Sequence, residues 1–346
     1  QQIFPLSMDL TGKHSNQTLQ TQKKWSSINT MDPAYDQYEK AREFYRTHEY
    51  LAWIGEDESD EETIRSASEE ALDQSENANS PANTDSASAK ISDQPMIYPM
   101  QQLMDYDFLM KHFYNVHTST TADRELMNAK NLLSKDLTLE KEDAPQILIY
   151  HTHSQESYKN SKKDENVVAV GQKLTDLLTE KGWNVYHDTT VYDLAVGKLD
   201  RSRAYTYALE GINEILARYP SIQVVLDIHR DGVGEDVYLK TEIGGQPSAR
   251  IMFFNGLSQT PEGPISYLAN PFREDNLAFS LKLQLKAEEY YPGFTRKIYL
   301  KGLRYNQHLR ARSALVEVGA QTNTFEEACN AMMPLAELLD MVLQGK

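Results

Sequence analysis

From residue 145 onward, apolar residues recur with strand and helix periods in alternation. The run Ile147–Tyr150 predicts a strand buried on both faces. Val167, Val170, Leu174, Leu177 and Leu178 follow at helical spacing, and Gly182 supplies the stop. Residues 183–187 read as a second strand, and residues 200–219 as a helix with Ala204, Ala208, Ile212, Ile215 and Tyr219 on one face, ended by Pro220. A strand over 223–229 comes next, then strands near 237–240 and 250–254, and a loop carrying Pro261, Pro264 and Pro271. A helix over about 274–291 ends at Pro292, and a strand covers 314–318. The last helix opens on Thr324 and Glu327, a capping-box pair, and Pro334 kinks or divides it. This order predicts an α/β domain over residues 146–346: a mostly parallel mixed sheet with helices on both faces.

Ahead of it the pattern loosens. In residues 97–145, Leu103, Phe108, Leu109 and Phe113 stand at near-helical spacing within 100–116, and Thr121 or Asp123 could cap a second helix running through Leu133. This predicts an N-terminal helical extension leaning on the main domain. Residues 55–96 are acidic, then rich in Ser, Asn and Ala, with too little apolar surface to offset the entropy of ordering, so a disordered linker is expected. Residues 1–54 are expected to be flexible, with one short helix around Tyr38, Ala41 and Tyr45.

Composition narrows the function classes. A formal charge of −16 argues against nucleic acid, whose binding is driven by Lys and Arg. One cysteine, Cys329, rules out an internal disulfide and any multi-cysteine metal site. No apolar run reaches the roughly 18–20 residues of a membrane span. The chain starts at Gln1 without a signal-peptide pattern, the expected look of an excised fragment.

The chemistry gathers at the carboxyl ends of strands, where open α/β sheets build their sites. The first strand delivers His151, His153, Glu156 and Ser157; the 223–229 strand delivers Asp227, His229, Arg230 and Asp231; the 314–318 strand carries Glu317 alone among apolar residues. Two imidazoles and a carboxylate with an open fourth position make a catalytic zinc site. A separate carboxylate is then needed to carry a proton from water to the leaving nitrogen, and Glu317 suits that task. A single histidine at a strand end is more often structural, and that is the expectation for His151.

Four stretches, THSQESY (152–158), DIHRDG (227–232), LRYNQHL (303–309) and LVEVGAQTNTFEEA (315–328), together resemble the stage II sporulation protein P family. That family is related to the zinc-dependent N-acetylmuramoyl-L-alanine amidases. The resemblance covers roughly residues 97–343 and implies an amidase-like fold and a peptidoglycan hydrolase with amidase and endopeptidase activity on stem peptides. It implies Zn2+ held by His153 and His229, with Glu317 as the catalytic carboxylate. The third ligand is Glu156 or Glu165; Glu156 is favoured, because His-x-x-Glu lets both side chains reach one ion from a single turn. Tyr305, Asn306 and Gln307 match a family motif and are expected at the substrate groove, as is Arg230. The resemblance further implies an extracytoplasmic protein at the sporulation septum, working in engulfment with stage II sporulation proteins D and M. Its membrane helix is absent from this chain, and the acidic linker would serve as a tether. A zinc carboxypeptidase-like enzyme, with Arg230 holding a terminal carboxylate, and a non-catalytic wall-binding scaffold are the competing readings.

Overall fold

In the computed structural model, residues 98–195 and 198–346 are described. The expectations for residues 1–54 and 55–96 lie outside the described residues. In chain order, a single turn at Met100–Leu103 leads to α1 (Tyr106–Phe113), β1 (Tyr114–Val116), α2 (Ala129–Ser134), β2 (Ile147–Tyr150), α3 (Val167–Glu180) and β3 (Val185–His187). Then come α4 (Arg201–Arg218), β4 (Val224–Asp231), β5 (Ile251–Gly256), α5 (Arg273–Tyr290), β6 (Ile298–Lys301), β7 (Arg312–Ala320), α6 (Phe325–Asn330) and α7 (Met332–Leu343). Short antiparallel ribbons decorate the loops, among them Leu194–Ala195 against Lys198–Leu199. Among the described residues, no helix is long and apolar enough to cross a membrane.

The seven strands form one sheet in the order β1-β6-β5-β7-β4-β2-β3. β3, β2, β4 and β7 are mutually parallel, as are β1, β6 and β5. The two blocks meet in one antiparallel seam, β5 against β7, where Glu317 lies opposite Met252. The α/β reading with a mostly parallel mixed sheet therefore stands.

Side chains alternate across the sheet, and this alternation decides where the chemistry goes. Ile147 and Ile149 of β2 and Val224, Leu226 and Ile228 of β4 join one core with α3, α5 and α7. Leu148, Tyr150 and Val225 face the other way and pack against Ala208, Ile212 and Ile215 of α4. The period of two then puts Asp227 and His229 on the α4 face. Leu315 packs with Tyr205 of α4, so Glu317 shares that face too. α3 is capped by the Asn166 side chain and buries Val167, Val170, Leu174 and Leu178. Each such side chain contributes roughly 1.5–3 kcal/mol, more than the ~1 kcal/mol that Gly171 costs in a helix interior.

Two expectations in residues 97–145 are corrected. The helix predicted over 100–116 is broken at Asp105, whose carboxylate accepts from the amides of Asp107 and Phe108 and so starts α1 afresh. Tyr114–Val116 then leave the helix and pair with β6, completing the sheet edge. Asp123 accepts from the amides of Glu125 and Leu126, but it caps only a turn. The following helix, α2, starts at Asn128, whose side chain accepts from the Asn131 amide.

Candidate active site

β2 stays in register with β4 up to Tyr150 opposite Asp227. Beyond that pair, side chains take over the stitching. Asp227 accepts from the Thr152 amide at 2.9 Å and the Thr152 hydroxyl at 2.6 Å. His151 is fully buried, donates from Nδ1 to the Ile228 carbonyl at 2.9 Å, and meets His187 Nε2 with its own Nε2, also at 2.9 Å. The structural role expected of His151 is what the geometry gives it. Gly171 of α3 makes room: a Cβ there would lie 2.4 Å from His151 Cε1.

The splayed strand ends bring His153, Glu156, His229 and Glu317 together. His229 and Glu317 are register partners on β4 and β7. The His153 and His229 rings stand edge to face at 5.2 Å, and Tyr205 closes the side of the cluster, 5.4 Å from His153. Glu156 Oε2 lies 3.5 Å from His229 Nδ1 and accepts from the Arg230 amide at 3.0 Å. Its Oε1 accepts from Arg201 Nη2. Glu165, the alternative, is instead tied to Lys162 through the backbone amide and the ammonium, at 2.9 and 2.8 Å.

The other predicted groups divide. Arg230 lies beside the cluster, its guanidinium donating to the carbonyls of Ser157 and Asp231 at 3.0 and 3.1 Å. Tyr305, Asn306 and Gln307 are buried behind it. Tyr305 stacks edge-on with Tyr205, and Asn306 donates to the Tyr205 carbonyl. Gln307 accepts from the Gly256 amide at 3.0 Å and donates to the Phe254 carbonyl at 2.8 Å, closing the end of β5.

Charge is arranged sharply. Burial and His229 push His153 down to about 3, so its imidazole is neutral. Burial works the same way on His229, but Asp227 and Glu156 outweigh it and hold that ring well above its usual value. Burial would raise Glu156; His229, His153 and Arg201 override it and keep the carboxylate ionised. Glu317 goes the opposite way: burial and the neighbouring Asp231 push it up to about 8. Asp231 is itself paired with buried Arg296 at 2.5 Å.

Among the described residues, no three His, Cys, Asp or Glu groups converge closely enough to hold a metal ion as they stand. The donor set nonetheless fits one. His153 Nδ1 and Glu317 Oε2 are buried without hydrogen-bond partners, a costly arrangement for a purely structural cluster. The 3.5 Å between His229 Nδ1 and Glu156 Oε2 is long for a hydrogen bond. It is close to the roughly 3.4 Å edge of a tetrahedron with zinc-like arms of about 2.1 Å. Two ionised carboxylates force a charge onto His229, and a dication would take over that positive role as the proton leaves.

Two residues were given no role by the sequence reading. Asp227 Oδ1 stands 2.8 Å from His229 Nε2, in ion contact, as carboxylates do behind metal-binding histidines. Its signal was available: a carboxylate two positions before His229 on the same strand face. Arg201, at the start of α4, gave no signal, because only the fold brings it to Glu156.

A family model for stage II sporulation protein P matches residues 14–340. The stage II sporulation protein P of Bacillus subtilis (strain 168) is 28% identical over 214 residues, covering 57% of this chain. The match spans half, 50%, of that relative's length. Among solved structures, the CwlD amidase of Clostridioides difficile, in complex with the GerS lipoprotein, matches 57% of this chain and 99% of its own at 15% identity and a TM-score of 0.37. The N-acetylmuramyl-L-alanine amidase Ami1 of Mycobacterium smegmatis matches 59% and 99% at 12% identity and a TM-score of 0.35. Those structural likenesses are slight, and the assignment stands on the match along the sequence. Spanning nearly the whole chain, that match makes it a member of the stage II sporulation protein P family.

Proposed function

We propose that this chain is a zinc-dependent peptidoglycan hydrolase that cleaves amide bonds of the stem peptide, as an N-acetylmuramoyl-L-alanine amidase with endopeptidase activity. The observation that carries the reading is the pairing of Glu317 with His229 across adjacent strands, with His153 and Glu156 closing the same cluster. His153, Glu156 and His229 would hold the metal. A bound zinc would polarise the scissile carbonyl and acidify a water to a pKa of about 7.

The chain's own groups then do the rest. His229, with His153 and Arg201, keeps the Glu156 carboxylate ionised, and the Arg230 amide donates to its Oε2. Asp227 fixes the His229 ring, and Thr152 fixes Asp227. Glu317, buried at the edge of the cluster with Oε2 free of hydrogen bonds, can take a proton from the attacking water and pass it to the leaving nitrogen. Arg230 has its guanidinium anchored on two carbonyls beside the cluster, and an acidic stem peptide is a suitable match for it. Family membership supports action outside the cytoplasm at the sporulation septum, with stage II sporulation proteins D and M as partners.

The test is digestion of purified sacculi by the zinc-loaded wild type and by Glu317→Gln. Soluble muropeptides are expected from the wild type. The variant should keep its zinc and lose about 10²–10⁴-fold in rate, as when a proton-transfer group is removed. Undiminished digestion by the variant would take Glu317 out of the mechanism. Mass analysis of the products distinguishes the lactyl–alanine amide from a peptide cross-link.

A further inference from the structure

The turn that carries His153 and Glu156 is gripped from outside by the segment leading into α4. Asp193, buried, accepts from the Ser154 hydroxyl at 2.8 Å and the Gln155 amide at 3.2 Å. The Asp193 carbonyl in turn accepts from the Asp200 amide at 2.8 Å, and Asp200 caps α4 by accepting from the Arg203 amide. The start of α4 is thereby fixed against the His-x-x-Glu turn, and Arg201 is its first residue.

From that position Arg201 reaches one oxygen of Glu156 only. Nη2 donates to Oε1, while Oε2 is left facing His229 Nδ1 at 3.5 Å and the Arg230 amide at 3.0 Å. A carboxylate gripped by one oxygen has its other oxygen aimed, and a metal site gains affinity when such outer partners remove the freedom of a ligand. We propose that Arg201 is a positioning residue for metal binding, holding Glu156 by Oε1 so that Oε2 stays turned toward His229. This rests on the zinc reading of the site. It makes Asp193, Asp200 and Arg201 part of the support of the metal centre, although none of the three donates to the metal.

The test is zinc affinity, measured on the whole chain by competition with a chromophoric chelator. Arg201→Gln should bind zinc about 10–100-fold more weakly, the usual effect of losing an outer partner of a ligand. Arg201→Lys, which keeps a charge but loses the planar fork, should recover part of the loss. Melting of the zinc-free variants, measured alongside, separates a loss of folding from a loss of affinity at this 44% exposed side chain. In a Glu156→Ala background, adding Arg201→Gln should cause no further loss; an equal loss there would mean that Arg201 acts elsewhere, which overturns the proposal. Unchanged affinity in Arg201→Gln overturns it as well. So does tighter binding, which would make Arg201 a competitor of the metal. A wild type that takes up no zinc would instead remove the zinc reading itself.

Discussion

Replacing Gly171 by Ala sets two well-known effects against each other. Helix propensity alone says that Ala stabilises an α3 interior position by ~1 kcal/mol. The packing says the reverse. A Cβ at residue 171 would stand 2.4 and 2.6 Å from Cε1 and Nε2 of His151, and 3.1 Å from His187 Nε2. His151 is fully buried and held at both ring nitrogens, so it cannot retreat without losing the Ile228 carbonyl or His187. Overpacking of this kind costs about 1–3 kcal/mol, and a buried hydrogen bond left broken about 1–3 kcal/mol more. Net of the propensity gain, Gly171→Ala should destabilise by roughly 1–5 kcal/mol, a large share of the ~5–15 kcal/mol typical of a folded domain. Urea unfolding followed by circular dichroism measures it as a lowered midpoint at unchanged slope. In a His151→Ala background the clash partner is gone, and Gly171→Ala should become neutral or stabilising. A stabilised single variant, or equal destabilisation in both backgrounds, would refute the reasoning.

The other predictions are more local. Asp227→Asn should lower the pKa of His229, because Asp227 is among the groups that raise it, and should weaken zinc binding by about 10–100-fold; NMR titration of the zinc-free protein and chelator competition check the two effects. Gln307→Ala should cost about 2–5 kcal/mol in urea, since it strands the Gly256 amide and the Phe254 carbonyl in the interior; a variant of normal stability but poor activity would return Gln307 to the substrate groove. Glu317 has a folded pKa of about 8, above the 4.5 of its free form, so its protonated state adds stability that is complete below pH 4.5 and lost as pH rises through 8. Glu317→Gln has no such loss, and zinc-free melts should find the variant and wild type alike near pH 4.5 and the variant ahead by on the order of 4 kcal/mol near pH 9; parallel melting curves would contradict a buried, protonated Glu317.

Much of the sheet was legible because local signals agreed with the fold. The ILIY run, the helix closed by Gly182, and the Thr324–Glu327 capping box all sit where the pattern put them. Strand direction was not legible. β5 and β7 are apolar on both faces, and such runs look the same whichever way the neighbour runs, so the antiparallel seam left no mark in the sequence. β1 was hidden for another reason: three residues at the end of a helical pattern become a strand only because β6 offers an edge to pair with. In the site, His153, Glu156, His229 and Glu317 were legible as polar groups ending apolar strands. Glu156, favoured on its spacing from His153, faces His229, while Glu165 turns to Lys162. Tyr305, Asn306 and Gln307 illustrate the converse. A polar motif near a site can be there to satisfy backbone groups at a strand end, as Gln307 does for β5.

The proposed centre is one metal ion held by His153, Glu156 and His229. The direct measurement is anomalous diffraction at the zinc edge from crystals of the zinc-loaded chain. A single peak within about 2.0–2.2 Å of His153, of Glu156 Oε2 and of His229 is the predicted result. A peak at other side chains, or zinc-loaded crystals with no peak in this cluster, would contradict it.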